Sequence, residues 1–249
     1  MAAVSDSSRA GVAAFARREG SVFYDAPAKP AYHGKPMLTR IDLPDFSRAE
    51  PPSRRAAEML LEADRRIDDF THRRRGPLIH GFVPSDFRMV DACLRWIVER
   101  QLAAGQAFCE WGSGFGVITL LAALHDFDAC GIEVEQLLVD EARQLAEDFD
   151  IAAQFGHGSA IPPGKQKLEK FLVEQSLVDT DSPDAYDELG LEIDDFDLVF
   201  VFPWPGEEPF WETLFDQCAA DGALLLTYHG LNDLRLQRRS ASRPRRRRG

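Results

Sequence analysis

Residues 106–133 read QAFCEWGSGFGVITLLAALHDFDACGIE. QAFCEW (106–111) is a short apolar strand, GSGFG (112–116) a turn, VITLLAALHDF (117–127) a helix of small and aliphatic residues, and DACGIE (128–133) a second strand. A strand, a glycine turn, a helix and another strand predict parallel pairing, with helices packed on the sheet.

Working outward, EQLLVDEARQLAEDFDIAAQ (135–154) puts Leu138, Ala142, Leu145 and Phe149 on one helical face. FGHGSAIP (155–162) offers a short third strand or its exit loop, and a polar excursion follows. DLVFVFPWP (197–205) is almost continuously apolar, as a central strand covered on both faces must be, and a Pro-x-Pro turn closes it. PFWETLFDQCAADG (209–222) reads as a helix, ALLLTYHG (223–230) as a buried strand, and LNDLRLQRR (231–239) as one more short strand.

On the other side, RRAAEMLLEADRRIDDFTHRR (54–74) sets Ala56, Met59, Leu60, Ala63, Ile67 and Phe70 at helical spacings. DFRMVDACLRWIVERQLAAG (86–105) is a second amphipathic helix stopped by Gly105. Residues 1–50 are rich in Pro, Gly and Ser and read as an irregular arm, with islands VFYD and MLTRIDLPDF. The organisation predicted is an arm and helix over 1–79 packing on the core, an α/β domain over 80–236, and a disordered Arg-rich tail over 237–249.

With 249 residues, 45% of them hydrophobic, the chain can bury a large core, which excludes disorder throughout. The net charge is −12, and because residues 235–249 hold eight arginines and no acid, residues 1–234 carry −20. So acidic a body is a poor surface for duplex nucleic acid, and the tail alone supports only nonspecific contact with polyanions or an acidic partner. The four cysteines are widely spaced without C-x-x-C pairing, as expected of buried thiols in a reducing compartment. No histidine has a convincing metal-ligand spacing with Asp or Glu. There is no apolar run of about 18 residues and no secretory signal pattern, so the sequence reads as a cytoplasmic protein without a membrane span.

The chemistry centres on Glu110-Trp-Gly112-Ser113-Gly114-Phe-Gly116. Glycines here let the chain turn tightly and bring backbone amides against a ligand. The dinucleotide fingerprint G-x-G-x-x-G would need glycine at 117, where this chain has Val117. Glu133, 21 residues beyond Gly112, stands where a carboxylate can accept both hydroxyls of a ribose. Two carboxylates around one glycine turn disfavour a phosphate-bearing ligand and favour a ribose joined to a positive charge.

In these residues the chain resembles the class I S-adenosylmethionine-dependent methyltransferases, over roughly residues 80–230. The resemblance implies a Rossmann-like, mostly parallel sheet with helices on both faces, with S-adenosylmethionine as cofactor and methyl transfer to an unidentified nucleophile, a small molecule being favoured. It implies that Glu110, Gly112, Ser113, Gly114 and Gly116 lie beside the methionine and ribose parts of the cofactor and that Glu133 holds the ribose. It puts Ser159 of GHGSA where the family often uses Asp for the adenine amino group. From HGFVPSDF (80–87) it implies a residue over the cofactor, Phe82 or Ser85; core packing by Phe82 and helix capping by Ser85 or Asp86 remain alternatives.

After the fourth strand, Phe202-Pro203-Trp204-Pro205 lacks the leading Asn/Asp and the paired prolines of relatives that methylate amines, so this motif gives amine methylation no support. Pro203 and Trp204 are read as a wall for cofactor and acceptor, and His229 as a general base reaching the same face, with no identifiable acid partner. The chain's short end after ALLLTYHG predicts six strands rather than the family's seven. Two other readings stay open: a noncatalytic methyltransferase-like interaction module, and a nicotinamide-dependent oxidoreductase.

Overall fold

The computed structural model describes residues 38–73, 83–165, 168, 178–231 and 233–240. In chain order the elements are β1 (Leu38–Ile41), α1 (Arg54–Arg73), α2 (Phe87–Glu99), β2 (Ala107–Trp111), α3 (Val117–Leu124), β3 (Asp128–Glu133) and α4 (Gln136–Asp148). They continue with β4 (Gln154–His157), α5 (Ala185–Leu189), β5 (Leu198–Val201), α6 (Glu208–Cys218), β6 (Leu224–Tyr228) and β7 (Leu234–Arg239).

The strands form one sheet in the order β1-β7-β6-β5-β2-β3-β4. From β6 to β4 all neighbours are parallel, whereas β7 runs antiparallel to both β6 and β1. This is the expected α/β, Rossmann-like architecture. The strand order reverses between β2 and β5, so the chain leaves their carboxyl ends in opposite directions and opens a crevice there.

The expectation of six strands is corrected to seven. LNDLRLQRR does supply the antiparallel β7, and the additional edge strand, β1, comes from the N-terminal arm, pairing Leu38 with Arg239 and Ile41 with Leu236. LTRI carries no apolar run, and only its two ends are even partly buried, so its local signal is weak and its partner lies about 200 residues away. β7 also runs through Arg239, which corrects the start of the predicted tail: Arg238 donates to the Leu102 carbonyl at 2.8 Å and Arg239 to the Asp216 carbonyl at 2.8 Å.

Helices cover both faces. On one, Phe108, Phe200 and Leu226 of the sheet meet buried residues of α1 to α4; on the other, Trp111, Ile132 and Val201 meet α5 and α6. All four residues of β5 are buried, which explains the unbroken apolar run in its sequence.

Helix α1 belongs to this core. Ala56, Met59, Leu60, Ala63 and Ile67 are buried along its inner stripe. Arg55 donates to the carbonyls of Phe149 (2.9 Å) and Asp150 (2.7 Å), placing a cation at the carboxyl end of α4. Arg66 bonds both Glu62 of its own helix and Asp148 of α4.

If α1 is integral to the core, truncating fully buried Met59 (0% exposed) to alanine should cost about 2–5 kcal/mol. Urea unfolding followed by circular dichroism measures this, with a single transition expected to shift to lower urea.

Candidate functional site

Alternation along β2 turns Glu110 toward the face that α3 covers. Its Oε2 accepts from the Thr119 amide at 2.8 Å and the Thr119 hydroxyl at 2.6 Å, so the carboxyl sits at the amino end of α3. Burial pushes the Glu110 carboxyl up to about 8, the negative charge of Glu133 adds to the rise, and the two Thr119 hydrogen bonds oppose it.

The bend after β2 is fastened to the end of β3. The amides of Gly112 and Ser113 both reach the Ile132 carbonyl at 2.9 Å. Glu133 Oε2 accepts from the Gly114 amide at 2.8 Å, and Oε1 accepts from the Glu135 amide at 3.0 Å. Burial raises the Glu133 carboxyl above its ordinary value, although these amides and that of Val134 stabilise its charged form.

A cavity of about 330 Å³ opens over this bend, a volume within the range of small-molecule sites. Glu110, Gly112, Ser113, Gly114 and Glu133 all line it. So do Ser85 and, from the N-terminal helix, Ile67; the edge-to-face pair Phe70–Phe115, centroids 5.3 Å apart, ties that helix to the glycine bend. Five lining residues are acidic (Glu110, Glu133, Glu135, Asp179 and Glu207), and among the described residues no Lys, Arg or His lines the cavity.

Two glycines of the bend differ in what they do. Gly112 has φ +72°, and a Cβ there would meet nothing within 4 Å, so its missing side chain leaves room for a ligand. Gly116 has φ +70° but does not line the cavity: a Cβ there would lie 2.4 Å from Phe155 Cε1 and 2.9 Å from Ala142 Cβ. Its lack of a side chain serves the packing of α3 against β4 and α4.

The other sequence candidates are placed as follows. Trp204 lines the cavity at its rim, 36% exposed. Pro203 is buried and outside the lining, which its neighbours Phe202 and Trp204 supply. Ser159 lines a smaller adjoining cavity of about 90 Å³; its hydroxyl donates to the Asp179 carbonyl at 2.7 Å and accepts from the Ile161 amide at 3.1 Å. His229 lines neither cavity; its Nε2 is 2.8 Å from Thr227 Oγ1, its Nδ1 3.5 Å from Glu208 Oε1, and burial lowers its affinity for a proton. At the start of α2 the capping group is Asp86, which accepts from the Met89 amide at 3.0 Å. Phe82 lies outside the described residues.

Three lining or supporting residues were missed. Thr119 orients Glu110, and its position in the first turn of the helix after the bend was the available signal. Asp179 lines both cavities; burial works to raise its carboxyl, but hydrogen bonds from Ser182 and Asp181 outweigh it and hold the group below its usual value. Glu207, 4% exposed, accepts at Oε2 from the Trp204 amide (3.1 Å) and from Trp211 Nε1 (3.2 Å).

The lining suits a ligand with hydroxyl donors and a positive charge. Ser113 Oγ is buried without a hydrogen-bond partner among the described residues. A pyrophosphate would meet carboxylates with no lining cation among the described residues to offset its charge.

The chain matches no family profile. It is 31% identical over 74 residues to the ribosomal protein L11 methyltransferase of Neisseria gonorrhoeae and 30% identical over 74 residues to that of Neisseria meningitidis, in each case 29% of this chain and 25% of the relative. The chain thus spans about a quarter of the length of the curated relatives it matches. Similar solved structures include a Podospora anserina methyltransferase bound to S-adenosylhomocysteine (10% identity, 73% of this chain and 64% of that one, TM-score 0.44). Another is an RNA methyltransferase from Salinibacter ruber (18% identity, 66% of this chain and 98% of that one, TM-score 0.43). A third is an O-methyltransferase from Bacillus cereus (16% identity, 73% and 69%, TM-score 0.43). The fold described above rests on its own strand order.

Gly112→Ala should fold with only the strain of a left-handed alanine, about 1 kcal/mol, whereas Gly116→Ala should be destabilised further by the clash with Phe155. Thermal melts of the two variants check the order.

Glu110 gives a pH dependence. Its native value near 8 lies above the unfolded value near 4.5, so the native state keeps a proton that the unfolded chain releases, and stability falls as pH rises through that window. Glu110→Gln removes this slope. Denaturant unfolding from pH 5 to 8 should show the variant gaining on the parent as pH rises; parallel curves would contradict the assignment.

Proposed function

We propose that the protein is an S-adenosylmethionine-dependent methyltransferase. The observation that carries this reading is the cavity at the strand-order reversal, walled by five acidic residues with no basic lining residue among those described and floored by an open glycine bend. When bound, the cofactor supplies a methyl group on a sulfonium, already activated for transfer. Glu133 is suited to accept the ribose hydroxyls with lone pairs beyond those taken by the Gly114 and Glu135 amides. Gly112 leaves space.

Glu110 holds a proton near neutrality and can release it to face a cation, recovering in charge attraction part of what burial costs. The cavity walls provide alignment and exclusion of water, the main help methyl transfer needs when the acceptor is already nucleophilic. We place His229 outside this machinery, because its ring is engaged by Thr227 and Glu208 away from the cavity. The acceptor is proposed to be a small molecule. The nicotinamide alternative is disfavoured by the same carboxylates, which would repel its pyrophosphate.

Calorimetry tests the reading. S-adenosylmethionine is expected to bind at neutral pH with net proton release, measured by repeating the titration in buffers of different ionisation enthalpy. The neutral S-adenosylhomocysteine should release fewer protons, and NAD should not bind. Glu133→Ala should weaken binding by roughly 1–3 kcal/mol. Tight NAD binding with no uptake of S-adenosylmethionine would reverse the proposal.

A further inference from the structure

The reversal of strand order divides the cavity wall. Glu133 belongs to β3 on one side of β2, while Phe202, Trp204 and Glu207 come from the segment leaving β5 on the other. The β5 flank therefore faces whatever approaches the cofactor from the side away from the ribose acid. It has its own composition: two aromatic rings, Phe202 and Trp204, and the buried carboxylate of Glu207.

The Glu207 carboxylate is held in place. Phe202-Pro203-Trp204-Pro205-Gly206 turns the chain back at the end of β5, so that Glu207 stands at the N-cap position of α6 with its side chain reaching back to the Trp204 amide instead of the helix. Trp211, one turn into α6, donates its indole N–H to the same oxygen. The indole of Trp211 is itself packed on Trp111, with centroids 5.3 Å apart. A side chain anchored at two points loses little further entropy when it binds a ligand.

We propose that this flank is the acceptor site and that the acceptor is an aliphatic amine, arriving as the ammonium and held by Glu207 against the rings of Phe202 and Trp204. This rests on the methyltransferase reading and adds the acceptor's chemical class. A carboxylate gives a charge-assisted hydrogen bond to an ammonium, and aromatic faces attract the same cation. An alcohol gains neither charge interaction, and an acid or phosphate ester meets repulsion from Glu207 and from the other carboxylates of the wall. Glu207 also supplies a base for the proton the nitrogen must lose: an N–H bond breaks, an O–H bond forms on the carboxyl, and the electron pair left on nitrogen is the nucleophile. Glu207 thus provides an acid after β5 although the Asn/Asp of the amine-methylating motif is absent.

Binding is read by tryptophan fluorescence on protein saturated with S-adenosylhomocysteine, titrated with 1,4-diaminobutane, 1,4-butanediol or succinate, four-carbon chains differing in charge. The diamine is expected to bind at least about tenfold more tightly than the diol, with no saturable response to succinate. Glu207→Gln keeps an oxygen for both N–H donors and, on protein again saturated with S-adenosylhomocysteine, should weaken the diamine by about tenfold or more. Trp204→Ala, a truncation at the rim, should weaken the diamine severalfold without lowering the melting temperature. Equal binding of diol and diamine, preference for succinate, or an unchanged diamine affinity in Glu207→Gln overturns the acceptor assignment. Failure of the parent protein to take up S-adenosylhomocysteine overturns the methyltransferase reading, and the acceptor assignment falls with it.

Discussion

The hydrogen bond from the Gly114 amide to Glu133 joins the end of β2 to the end of β3 where the chain must bend to begin α3. Its neighbours reinforce it: two further bend amides share the Ile132 carbonyl, and Glu110 caps the start of α3 from below. The bend is thereby held open as a backbone cradle without a side chain filling it. Each acid is held at the bend, Glu110 by the amide and hydroxyl of Thr119 and Glu133 by the amides of Gly114 and Glu135. The same contacts that fix the local fold orient the groups that define the cavity.

Two buried acids this close carry an electrostatic cost. Desolvation raises both, and the charge of Glu133 raises Glu110 further. A structure built only for stability would gain by replacing one of them with an apolar or amide side chain. A ligand bringing positive charge to the cavity would offset that cost, and the presence of Asp179 and Glu207 on the same wall extends the argument to the whole lining. Ion pairing within the protein does satisfy other acids, as at Glu62 with Arg65 and Arg66, but among the described residues no basic group forms an ion pair with Glu110 or Glu133.

The sequence made the centre of the sheet legible because parallel strands covered on both faces are short apolar runs, and β2, β3, β5 and β6 all fall within the predicted stretches. The acids flanking the bend were legible for a related reason: a polar residue ending such a run faces the crevice. What escaped was nonlocal. β1 has no apolar run of its own and acquires its place only by pairing with β7. Asp179 reaches the cavity after a polar excursion whose periodicity says little, and Glu207 reaches it by folding back through a turn. Gly116 shares the spacing of Gly112, yet whether a glycine makes room for a ligand or for a neighbouring ring depends on Phe155, which arrives on a different strand. His229 was placed by its proximity to the end of β6, but hydrogen bonds to Thr227 and Glu208 engage its ring.

The location of β1 bears on where the folding unit begins. Without it, β7 would present its outer backbone groups along six residues of strand; with it, the edge on that side is, among the described residues, the four-residue β1, which offers a shorter template for unwanted pairing. The same N-terminal region contributes α1, whose apolar stripe fills the core, whose Arg55 and Arg66 grip α4, and whose Ile67 and Phe70 reach the cavity and its bend. Residues 38–73 therefore cannot be a separable appendage. Loosening α1 removes a wall of the cavity and a support of the bend together, so the stability of this helix and the affinity of the site are linked through the same side chains.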